Sequence, residues 1–242
     1  MNRRTRRVLL GGVILAAGLL VFRAPLRNGT VAAIQRVKGR STVAERVAQH
    51  GEAARARLAP AFAAAGSAYP PRRVTLVGLK AERRLEVWVA DEGGAWRHVR
   101  DYPVLGASGT LGPKLRQGDR QVPEGVYGVE ALNPNSSFHL SLRLDYPNAD
   151  DLRRAREADI ADPGSDIMIH GNTCSIGCLA MGDEAAEDLF VLAAETGLAN
   201  IKVILSPVDF RVRDLPENLP ALPAWVADRY SSLRRELALL VP

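Results

Sequence analysis

Apolar and polar positions change their period along this chain, and each change predicts an element. Residues 8–22 carry no charge and follow Arg3, Arg4, Arg6 and Arg7. Thr42 and Glu45 stand at capping-box spacing, and residues 43–65 read as helix with breaks expected near Gly51 and Pro60. Pro70-Pro71 ends that segment. Short β-rich runs come next at 74–77 and 85–89, joined by a polar turn at 80–84, with a third at 96–99 and a continuation at 102–105. Glycine and proline crowd residues 106–125, which predicts a long loop of the kind that borders a cleft. Residues 126–132 and 138–144 alternate as strands, and 150–158 is a charged helix. Ile167-Met168-Ile169 reads as a buried strand. From 183 to 196 the pattern is helical, with Ala186, Leu189, Phe190 and Ala193 on one face and Asp183 placed to cap it. Residues 201–205 form a buried strand, and 222–240 an amphipathic helix with Trp225, Val226, Tyr230, Leu233 and Leu237 on its apolar side.

Charge changes the picture at the N-terminus. Nine of the 32 Lys/Arg lie in residues 1–40, which hold no Asp or Glu, leaving 23 basic against 27 acidic residues in the rest. The overall charge of +5 therefore belongs to the N-terminus, and the folded part has no basic excess for nucleic acid. Residues 1–25 read as a signal-anchor, with a cleaved signal peptide as the alternative; the arginines would stay in the cytoplasm and the chain beyond would be exported. Residues 26–71 read as a linker and helical segment, either a stalk or a helix packed on the domain. The inner membrane is thus an expected partner and the periplasmic side the expected location.

Candidate chemistry sits in one stretch. His170 and Gly171 end the strand at 167–169, a polar turn follows at 172–175, and Ile176-Gly177-Cys178 precedes the helix. A free thiol is only slightly ionised at neutral pH, and a neighbouring imidazole can take its proton to leave a nucleophilic thiolate. The eight-residue spacing lets the turn fold Cys178 back onto His170. Gly177 removes a side chain beside the nucleophile, and the Cys178 N–H would line an oxyanion hole. Taken singly, the residues read better as a buried structural cysteine and a satisfied histidine. Cys174, four residues away, is either a redox partner for Cys178 or a small core residue. A metal site is not expected, because His50, His98 and His139 show no ligand spacing.

Together, His170-Gly171 and Ser175-Ile176-Gly177-Cys178 resemble the active-site signature of the L,D-transpeptidase catalytic domain (YkuD) family. Gly112-Pro113-Lys114, Gly118-Asp119 and Val122-Pro123-Glu124-Gly125-Val126-Tyr127 resemble its loop and strand entry, and Leu132-Asn133-Pro134-Asn135-Ser136-Ser137-Phe138-His139 its YafK-like branch. The match covers residues 72–206, leaving 207–242 as a C-terminal extension. One departure matters: many members carry Arg two residues after the cysteine, where this chain has Ala180.

The resemblance implies a mainly β fold with peripheral helices (α+β), two packed sheets carrying the site. It implies cysteine-dependent acyl transfer on peptidoglycan stem peptides with no cofactor. Cys178 would attack and His170 would move the proton, with Gly171, Ser175 and Gly177 in support. Lys114, Tyr127 and His139 are candidate substrate contacts. Two alternatives stay open: a hydrolase releasing a cross-link or a wall-linked lipoprotein, and a non-catalytic, membrane-tethered wall-binding module.

Overall fold

A computed structural model of the protein describes residues 39–91, 93–217, 219 and 221–240. The expected signal segment at 1–25 lies outside the described residues. The chain divides into two compact units, Met1–Ser41 and Thr42–Pro242, and every element below belongs to the second. Among the described residues no helix is long and apolar enough to cross a membrane.

Helix α1 (Val43–Ala64) starts at the expected box. Glu45 N–H donates to Thr42 Oγ1 at 3.1 Å, and Thr42 N–H donates to Glu45 Oε2 at 2.7 Å. The expected breaks at Gly51 and Pro60 do not occur. Pro60 sits on the exposed face, where water can satisfy the carbonyl it leaves free. Gly51 lies on the buried face with Ala54, Leu58 and Phe62. That face packs into the main core, so the helix is laid against the domain and is not a free stalk. Leu58 and Phe62 are 0% and 2% exposed, each worth roughly 1.5–3 kcal/mol of apolar burial.

Eight strands follow: β1 (Arg73–Leu79), β2 (Arg84–Ala90), β3 (Arg97–Pro103), β4 (Gly125–Ser136), β5 (His139–Leu144), β6 (Met168–His170), β7 (Leu179–Ala180) and β8 (Ile201–Ser206). Their order is β3-β2-β1-β8-β4-β5-β6-β7. Two packed sheets were expected; the strands form two halves joined in one hydrogen-bonded order by β4, which belongs to both. Its start pairs with β8 and the rest with β5, across register shifts at Val129/Ala131 and Asn133/Ser136. Such irregularities bend a strand, and one core holds Leu76 and Val203 from one half with Leu142 and Ile169 from the other.

Helix α2 (Ala149–Glu157) opens on Asn148, whose side chain accepts from Asp150 and Asp151 N–H. Helix α3 (Asp183–Thr196) buries Ala186, Leu189, Phe190 and Ala193, the face its periodicity predicts. Helix α4 (Val226–Ala238) covers the other side through Val226, Tyr230, Leu233 and Leu237, packed on Val77, Trp88 and Ile204.

Candidate active site

Strands β6 and β7 place the candidate pair. They run parallel, with Ile169 opposite Leu179 and His170 opposite Ala180. Cys178 stands in the bend directly before β7, and His170 ends β6, its neighbour in the sheet.

The imidazole is set up from behind. His170 is 2% exposed, and its Nδ1 lies 2.6 Å from the Gly171 carbonyl oxygen. A carbonyl only accepts, so Nδ1 carries the proton and Nε2 keeps its lone pair. Among the described residues Nε2 has no hydrogen-bond partner. The Phe138 ring packs 4.7 Å from the imidazole. Burial holds the His170 pKa below its ordinary value, with the Gly171 bond opposing, so the ring is a neutral base near pH 7.

Cys178 is partly exposed, and its Sγ lies 3.6 Å from the Asp166 carbonyl. No hydrogen bond joins it to His170. Burial pushes its pKa up; a Met168 backbone bond and the Lys114 charge pull the other way, while the Asp166 carboxylate adds to the rise. The resting pair is therefore thiol and neutral imidazole, not a preformed ion pair. Cys174 is exposed, and both cysteines are free.

The supporting residues do other work than expected. Ser175 Oγ accepts from Cys178 N–H at 3.0 Å and donates to the Cys178 carbonyl at 2.5 Å, so it clamps the turn and does not touch His170. The Cys178 N–H expected in an oxyanion hole is thereby occupied. Gly177 N–H donates to Ser108 Oγ at 2.6 Å, and Gly171 N–H to the Leu140 carbonyl at 3.1 Å. Gly177 has φ +89°, a region side chains rarely adopt, and a Cβ there would lie 3.3 Å from the Gln121 carbonyl. Gly171 is needed for space: a Cβ would come within 2.7 Å of the Phe138 carbonyl. Asp183 does not cap α3; its carboxylate accepts from Asn172 N–H at 2.8 Å and ties the catalytic turn to the helix.

The three candidate substrate contacts are each engaged elsewhere. Tyr127 is 3% exposed in the core with its hydroxyl 3.4 Å from Asp151, so it is not brought to the site. Lys114 is 7% exposed and donates to Asp119 at 2.6 Å and to the Arg116 carbonyl at 2.9 Å. It acts on the thiol as a nearby charge and is no free hook for a carboxylate. His139 bonds Glu187 at 2.9 Å, away from the thiol.

Sequence reasoning missed the residues that close the long loop over this corner. Asp119 accepts from the N–H groups of Leu115, Arg116 and Gln121. Lys80 Nζ, 8% exposed, donates to the Gly112 and Val122 carbonyls and to Glu124, whose other oxygen accepts from Tyr230 at 2.6 Å. Leu105 and Gly106 N–H both donate to the Ala180 carbonyl, extending the sheet past β7. A Cβ on Gly106 would lie 2.2 Å from the Thr173 carbonyl and 3.2 Å from the Ala180 Cβ. That close approach leaves no room for a long side chain at position 180. The Gly-Pro-Lys run signalled a loop, but nothing in its spacing signalled these partners.

The L,D-transpeptidase catalytic-domain profile matches residues 72–204, which include the whole corner. The protein provisionally named L,D-transpeptidase YafK in Escherichia coli K12 is 35% identical over 140 residues, covering 56% of this chain and 53% of that one. The chain thus spans about half the length of the curated relatives it matches. A crystal structure of the helical cell shape determining protein Pgp2 from Campylobacter jejuni overlaps with TM-score 0.46 at 20% identity, over 56% of this chain and 48% of that one. Bd1075 of Bdellovibrio bacteriovorus gives 0.43 at 19% identity, over 72% and 57%. Overlaps of this size carry no functional argument. The profile match spans more than half of the chain, and with it the chain belongs to the L,D-transpeptidase catalytic-domain (YkuD) family, on its YafK-like branch.

Proposed function

We propose that this protein is a cysteine acyltransferase acting on peptidoglycan stem peptides outside the cytoplasm, with Cys178 as nucleophile and His170 as base. The observation that carries the reading is the Nδ1–Gly171 bond, which leaves His170 Nε2 as an acceptor unpartnered among the described residues, on the strand beside the turn that bears Cys178. On substrate entry Cys178 leaves the Asp166 carbonyl and gives its proton to Nε2. The thiolate attacks an amide carbonyl next to a D-amino acid. The imidazolium then protonates the leaving amine, and a Cys178 thioester remains. An acceptor amine yields a cross-link, whereas water yields a free acid. Oxyanion stabilisation requires Ser175 or Ser108 to release a backbone N–H or to donate its own hydroxyl. Residues 1–25 supply the export signal or anchor of this reading.

A second reading, hydrolysis as the dominant outcome, is favoured by Ala180. That position is 0% exposed under Gly106, so no arginine fork is available there to hold a carboxylate-bearing acceptor. Arg116 and Arg120 on the facing loop are exposed and their side chains make no hydrogen bond, so they are the candidates to replace it. The test is the product ratio from defined muropeptides with excess acceptor peptide, read by mass spectrometry. Mostly free acid supports the hydrolase, and mostly cross-linked product supports the transferase. No product of either kind contradicts both.

A further inference from the structure

The sequence gives no reason to group His50, His139 and Glu187, yet three separate elements bring them together. His50 lies on α1, His139 at the start of β5 and Glu187 on α3. Glu187 Oε1 is 3.0 Å from His50 Nδ1 and 2.9 Å from His139 Nε2. The three atoms lie within 4.8 Å of one another. Four tetrahedral ligands on zinc stand about 3.3 Å apart, as bonds of roughly 2.0–2.2 Å require. Small rotamer changes would bring the three atoms to that spacing.

We propose that His50 Nδ1, His139 Nε2 and Glu187 Oε1 bind one divalent first-row metal ion, Zn²⁺ being the best fit, as a clasp joining α1, β5 and α3. Two nitrogens and one oxygen suit such an ion, while Ca²⁺ and Mg²⁺ demand mostly oxygen. Water takes the fourth position. The side chains are 13%, 29% and 14% exposed for His50, His139 and Glu187, so an ion can enter from the His139 side and is then largely enclosed. In the metal-free protein each nitrogen facing the carboxylate donates to it, and the ion takes the place of those protons.

The surroundings set the carboxylate's mode. Arg57 Nη2 holds Glu187 Oε2 at 3.0 Å, so only Oε1, which faces the two histidines, is offered to an ion. Arg57 is itself balanced by Asp188 at 2.7 Å. The charges of Arg57 and Arg46 act against a cation at His50 and limit the affinity. His139 directly follows Phe138, whose ring packs on His170, and its Cβ approaches the space beside Gly171. A filled clasp therefore stiffens the base of the turn that carries the imidazole without touching the thiol.

The test uses the full-length protein stripped with a chelator, in a Cys174→Ala/Cys178→Ala background that removes thiol ligands. Zn²⁺ is titrated by calorimetry and Co²⁺ by its visible absorption. One equivalent should bind and raise the melting temperature. Glu187→Gln, which keeps a hydrogen-bond acceptor, and His139→Asn should each weaken binding at least about tenfold with circular dichroism unchanged. Absence of binding in the thiol-free background, or affinity unchanged from that background in the two variants, overturns the proposal. Because the thiols are absent throughout, the result is independent of the acyl-transfer reading.

Discussion

His170 has a fixed tautomer because its Nδ1 faces a carbonyl, so the proton that governs activity is the one on Nε2. Burial lowers the pKa of the ring, which makes the protonated form unfavourable. The neutral base then persists to lower pH than in an exposed histidine. The acid limb of kcat/KM against pH should have its midpoint below about 6.5, the ordinary histidine value. A midpoint clearly above that would mean a negative partner holds the imidazolium. At this scale the sequence pointed to His170 and Cys178 through the family signature they resemble, whereas the Gly171 bond and the Ser175 clamp depend on turn dihedrals that no pattern encodes. The partners of Tyr127 and His139, Asp151 and Glu187, come from helices distant in sequence, and Lys114 is held within its own loop by Arg116 and Asp119, so pattern alone signalled none of them.

Helices and strands with strong periodicity were legible: α3 buries the four residues its pattern singles out, and Thr42 caps α1 as its spacing with Glu45 requires. The length of β4 was not, since its shifts interrupt the alternation on which the reading rests. Nor was the long loop's architecture, which hangs on a buried ion pair. Lys80 and Glu124 are 8% and 0% exposed and bonded on every side. Removing one partner of such a pair leaves a buried charge uncompensated. Glu124→Ala should cost about 3–5 kcal/mol in denaturant unfolding, and adding Lys80→Met should recover part of that loss. If Glu124→Ala costs less than about 1 kcal/mol, the loop is not anchored as described.

Across the whole molecule, β4 joins the two halves, and the extra strand segment at Leu105 and Gly106 seals the edge where the catalytic turn lies. Fold class was legible through the family resemblance, but the strand order was not, because which strand is shared depends on pairing and not on pattern. The proposed topology of the full chain rests on residues 1–25, with Arg3, Arg4, Arg6 and Arg7 ahead of the uncharged run. A reporter enzyme active only in the cytoplasm, fused after Pro242, should be inactive, while one active only after export should work. The reverse pattern would place the catalytic domain in the cytoplasm and remove its access to the cell wall.

The most direct measurement is the intact mass of the protein after brief exposure to a tetrapeptide-stem muropeptide. The account predicts an added acyl mass that maps to the Cys178 peptide and is sensitive to thiol reagents. It also predicts that Cys174→Ala keeps the adduct and that Cys178→Ala and His170→Ala both lose it. An adduct that persists in Cys178→Ala, or maps to Cys174, would contradict the assignment of Cys178 as the nucleophile.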